Sequence, residues 1–82
     1  MFNYYVYILS NKEKEHFCIG VTNDIEKRID KYQCFLVYYD VFDNIRDSID
    51  AQKKLKSLPR KWKINLIEKY NPRWEDLFCG LV

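Results

Sequence analysis

The sequence predicts an α+β domain in which a small three-stranded antiparallel sheet is flanked by helices, in the order β-β-α-β-α-α. Three observations carry that prediction. Two runs dense in aromatic and β-branched residues, NYYVYIL at 3–9 and HFCIGV at 16–21, are separated by six polar residues, a spacing that favours an antiparallel hairpin. A third such run, FLVYYDVF at 35–42, follows a stretch with helical periodicity. From residue 44 to 70 the apolar positions recur at helical spacing, with a break at Pro59.

Each element has a local cause. The first strand is almost continuously apolar, as a central strand should be, and SNKEKE at 10–15 is a polar turn. Gly20 removes a side chain inside the second strand, where a helix, another side chain or a ligand must approach. Asn23 is a good N-cap for the first helix, with Glu26 completing a capping box and Asp24 favoured by the dipole. Ile25, Ile29 and Tyr32 fall on one face of that helix, and Arg28 rises from its edge. Asp43 or Asn44 can cap the second helix, whose sheet-facing stripe is read as Ile45, Ser48, Ile49, Gln52 and Leu55, with Ala51 and Leu58 as candidates to extend it. Ser57 and Pro59 open the third helix, with Trp62, Leu66 and Tyr70 on one face and Ile67 beside them. Asn71-Pro72 ends it, and a last turn uses Trp74, Leu77 and Phe78 to close the core.

The chain of 82 residues has room for one domain, covering 1–82. At 48% hydrophobic and 17% aromatic it is too apolar to be disordered. No run approaches the length of a membrane span, and no basic segment leads into an apolar signal core. Three cysteines without paired spacing and a lone His16 argue against a zinc site, a disulfide framework or a histidine-based triad. The expected compartment is the cytoplasm, where thiols stay reduced.

Net charge is only +2, but its distribution is uneven. Residues 51–64 carry Lys53, Lys54, Lys56, Arg60, Lys61 and Lys63 and no acid, whereas 40–50 carry four aspartates against Arg46. A phosphate backbone can use such a basic segment, and so can water around a solvated helix face.

The order Tyr5-Val6-Tyr7-Ile8-Leu9, then Cys18-Ile19-Gly20-Val21-Thr22, then Asn23-Asp24-Ile25-Glu26-Lys27-Arg28 resembles the GIY-YIG endonuclease domain, in its small stand-alone bacterial, URI-type branch. LVYYDVFDNIRDSI, KKLK and RKWKINLIEKYNPRWEDL extend the resemblance over nearly the whole chain. It implies a scaffold that hydrolyses one DNA strand with one divalent cation, Mg²⁺ or Mn²⁺. Tyr7 matches the tyrosine closing the first motif, Arg28 the helix arginine and Asn71 a late asparagine near the pocket. Three matching positions depart from the pattern: Cys18 replaces a tyrosine, Tyr32 a histidine and Gln52 the metal-binding glutamate. The chain also passes almost directly from Tyr32 to Phe35, where related proteins carry a longer Gly-, Lys- and Thr-rich segment.

Tyr7 could activate water and Arg28 could hold the phosphate oxygens, but a neutral Gln52 anchors a hard cation poorly. The expectation is therefore a family member with impaired cleavage, needing no cofactor, that still binds DNA through backbone contacts. Two alternatives stand beside it. One is an active metal-dependent endonuclease, and the other is a protein-interaction or structural module with self-association left open. Each site residue also has a plain structural reading: Tyr7 packed in its strand, Gln52 bonded to backbone, Asn71 in a turn, Cys18 a small buried hydrophobe, and both tryptophans in the core.

Overall fold

A computed structural model describes residues 3–24 and 34–77. The predicted first helix, with Arg28 and Tyr32, lies outside the described residues, as does Phe78 of the last turn. Three strands, β1 (Tyr4–Ser10), β2 (Phe17–Thr22) and β3 (Phe35–Phe42), form an antiparallel sheet in the order β2-β1-β3. The most apolar strand is the central one, as expected. Two helices follow, α1 (Ile45–Ser57) and α2 (Arg60–Tyr70).

The alternation of β1 divides the core into two layers. Val6 and Ile8, fully buried, join Val37, Leu55 of α1 and Ile67 of α2. Tyr7 and Leu9 point the other way and pack with Leu36, flanked by Tyr5, Tyr39, Cys34 and Leu77. A bulge lets β3 serve the first layer with two consecutive residues. Ile8 pairs with Tyr38 and Leu9 with Leu36, so Val37 is the extra residue between them.

Asn44, rather than Asp43, caps α1: its Oδ1 accepts from the Asp47 amide at 2.8 Å, and its Nδ2 donates to the Asp47 carboxylate at 2.8 Å. The buried stripe of α1 is Ser48 and Leu55, with Ala51 and Gln52 half-buried between them. The Ser48 hydroxyl donates to the Ile45 carbonyl at 2.6 Å, so its polarity is satisfied inside the layer. Ile45 is 52% exposed and Ile49 also faces outward, which corrects the predicted stripe. Spacing alone does not separate the two isoleucines from the smaller Ser48 and Ala51, and it is the small pair that faces the sheet. Ser57 does not cap α2; its hydroxyl donates back to the Lys54 carbonyl at 2.8 Å, and Pro59 occupies the N-cap with no side-chain bond.

The third predicted face is corrected more strongly. Trp62 is 58% and Tyr70 64% exposed, while Ile67 is fully buried. Asn71 sets this phase. Its side chain, 5% exposed, is drawn into the bulge of β3, and Ile67 lies one turn before it on the same side. Trp62, five residues before Ile67, is thereby turned about 140° away from the core.

Ahead of the predicted first helix, Thr22 Oγ1 accepts from the Asp24 amide at 3.0 Å; the partners of the Asn23 cap, Ile25 and Glu26, lie outside the described residues. Among the described residues, no helix is long and apolar enough to cross a membrane.

Candidate functional site

Strand pairing brings the two motif positions of β1 and β2 onto one face. Tyr7 pairs with Gly20, and Leu9 pairs with Cys18, so Tyr7, Gly20 and Cys18 share the face opposite α1 and α2. Tyr7 is 3% exposed, and its ring lies across Gly20, where a Cβ would fall 2.4 Å from the phenolic oxygen. The approach anticipated at Gly20 is thus that of a side chain. Cys18 is exposed and carries a free thiol, which corrects its reading as a small buried hydrophobe. A thiol there is a shorter and weaker donor than a phenol.

Gln52 stands on α1, half-buried. Its neighbours Ala51 and Leu55 belong to the layer of Val6 and Ile8, so the helix covers the sheet face opposite Tyr7. Arg28 and Tyr32, the other two positions of the expected pocket, lie outside the described residues.

Among the described residues the donor set does not fit a divalent cation. Position 52 offers a neutral amide, and among the described residues no three His, Cys, Asp or Glu side chains group together. Asp50 is exposed on α1, and Asp40 Oδ1 accepts from the adjacent Val41 amide at 2.9 Å on the exposed part of β3.

Asn71 has a well-defined occupation. Nδ2 donates to the Val37 carbonyl at 3.1 Å and to the Glu75 carbonyl at 2.9 Å, and Oδ1 accepts from the Glu75 amide at 3.0 Å. Both ends of the carboxamide are thus engaged with backbone. Close by, Asp76 Oδ1 accepts from the Leu36 amide at 3.1 Å. Together they satisfy two backbone groups of an edge strand beside its bulge. Sequence spacing gave no sign of Asp76. Its only cue is an acid shortly after the turn that Asn71 begins.

The basic segment divides in two. Lys53, Lys54, Lys56 and Lys61 are exposed and Lys63 is half-buried, and none of the five carries an ion pair among the described residues. Arg60 is committed elsewhere. Its guanidinium donates to the Glu15 carbonyl at 2.5 Å and the Lys14 carbonyl at 2.6 Å, and lies 4.9 Å from the centre of the Phe17 ring. Phe17 stacks on Trp74 at 6.0 Å, and Lys14 Nζ lies over that indole, 4.9 Å from its centre. The half-buried Trp74 is held there with a φ of 54°, in the left-handed region.

Beside α1, Tyr38 shares two adjoining depressions with Asp40. Burial, first, and then the nearby Asp40 and Tyr70 hold its phenol above the usual tyrosine range.

Comparison with known proteins follows the same outline. The profile of the GIY-YIG catalytic domain matches residues 3–75. A UPF0213 protein of Clostridium perfringens is 32% identical over 85 residues, covering 88% of this chain and 90% of that protein. The solution structure of a UPF0213 protein of Bacillus halodurans superimposes with a TM-score of 0.66 at 25% identity, covering 90% of this chain and 92% of that one.

Proposed function

This chain belongs to the GIY-YIG family, and we propose that it is a member with impaired strand cleavage that binds DNA through the phosphate backbone. The observation that carries the first half is Gln52. Where the family resemblance places a carboxylate that anchors the cation, an amide supplies one neutral oxygen and no charge. Losing that charge raises the barrier to hydrolysis, at tenfold in rate for each 1.4 kcal/mol. On the sheet face of Tyr7, Cys18 stands where the resemblance implies a tyrosine and removes its phenolic hydroxyl. Tyr7 and Arg28 keep the residue types that would orient water and hold the phosphate oxygens.

The second half rests on lysines 53, 54, 56 and 61, which project into solvent without carboxylate partners among the described residues. Such contacts are independent of sequence and release counterions, so affinity should fall steeply with salt. The chain would meet its DNA in the cytoplasm, where Cys18 and Cys34 stay reduced.

The test has two arms. Anisotropy of a labelled duplex across a salt series should give a negative slope of log affinity on log salt, and a slope of zero removes DNA binding. Nicked and branched DNA incubated with Mg²⁺ or Mn²⁺ should show no cleavage beyond that of Arg28→Ala. Arginine-dependent cleavage by the natural chain would instead make it an active endonuclease.

A further inference from the structure

We propose that Trp62 is a stacking platform for an unpaired base, so that this domain prefers DNA with a single-stranded segment. The inference rests on the backbone-binding reading above and adds a substrate class to it. Trp62 stands on the outer side of α2, 58% exposed, which is a costly place for one of the two largest apolar side chains in the protein. It lines an open groove of about 270 Å³ with Leu58, Asn65, Leu66 and Lys69. The apolar side chains offer the face and edge of a flat ring a dry contact. Asn65 supplies donors and an acceptor for a base edge, and Lys69 supplies a cation at the rim.

Charge selects the occupant. Lys61 and Lys63 flank Trp62 in sequence, and Lys69 sits in the groove itself. Leu58 is shared with the next depression, of about 200 Å³, which Lys54 lines together with Tyr38 and Asp40. An aromatic plate with lysines along the adjoining wall is the surface that single strands use, because stacking ignores base identity while the cations follow the backbone. A closed duplex cannot offer a base face to Trp62, since its bases are stacked on one another.

The test uses oligo(dT) and a duplex of equal length as probes. Oligo(dT) should quench the tryptophan emission of the natural protein. Trp62→Ala should abolish the quenching and weaken oligo(dT) binding about tenfold or more, the loss of one stacked base. Its duplex affinity should change less than about twofold, the duplex being held through lysines alone. Trp62 is 58% exposed and belongs to neither buried cluster, so the variant should stay close to the natural melting temperature.

If duplex binding keeps its salt slope but Trp62→Ala leaves oligo(dT) affinity unchanged, the platform is overturned and backbone binding survives. If neither probe binds at low salt, both readings fall together. Concentration-dependent association that Trp62→Ala removes, with no quenching by oligo(dT), would assign the groove to a second copy of the chain and also overturn the proposal.

Discussion

Tyr7 and Gly20 face each other across β1 and β2, with the phenol lying where a side chain at Gly20 would stand: an added Cβ meets Tyr7 Oη at 2.4 Å and Cζ at 2.7 Å. The glycine is needed for close approach, since its φ is not in the left-handed region. Gly20→Ala should therefore push a buried ring off its seat and destabilise the fold by about 1–3 kcal/mol. Urea unfolding measures this. Tyr7→Leu should remove most of the added cost in the double variant, and strictly additive effects would show that the two residues do not compete for that space.

Asn71→Ala strands the Val37 carbonyl and both backbone groups of Glu75 that the carboxamide now serves. A loss of about 2–3 kcal/mol is expected, the cost of buried groups left without partners. Hydrogen exchange should rise first at residues 73–76 and at the bulge of β3. A change confined to DNA affinity, with stability intact, would contradict this role.

Tyr38 predicts a loss of stability in alkali. Its folded pKa lies above the unfolded value of about 10, for burial first and then Asp40 and Tyr70. Between the two values the folded chain keeps a proton that the unfolded chain has released. Stability is therefore whole below about pH 10 and is lost as pH rises through the folded value. Thermal unfolding from pH 8 to 11 should show Tyr38→Phe losing less than the natural chain, and parallel curves would refute it.

Arg60 and the lysines of α1 should separate cleanly in a salt series. Lys53→Ala with Lys56→Ala should flatten the slope of duplex binding by about two. Arg60→Ala should leave that slope alone and lower the melting temperature, because its guanidinium is engaged with Lys14, Glu15 and Phe17. Equal slope changes would place Arg60 on the phosphate after all.

The three strands, their pairing and the two later helices are legible in the letters because their signals are strong and local: dense β-branched and aromatic runs, a capping Asn44 and a break at Pro59. Helix phase is less legible. Ile45, Ile49, Trp62 and Tyr70 have the spacing of core residues, yet each helix buries one stripe, and the choice depends on a long-range contact. For α2 that contact is Asn71 reaching the bulge at Val37, which arises only when β3 pairs with β1. The common face of Tyr7, Gly20 and Cys18 could be read from strand alternation, whereas the role of Arg60 could not. Nothing in a run of basic residues tells which guanidinium will be claimed by carbonyls 45 and 46 positions away.

The ladder of Lys14, Trp74, Phe17 and Arg60 acts as a latch between the mouth of the hairpin, the start of one helix and the turn after it. Closing it demands loops of dozens of residues for a few contacts at the edge of the core, so it fastens only once the strands and helices are in place. In reverse it is the first seam to part. The amides of residues 11–16 and 73–75 then open as one unit while the sheet behind them stays shut.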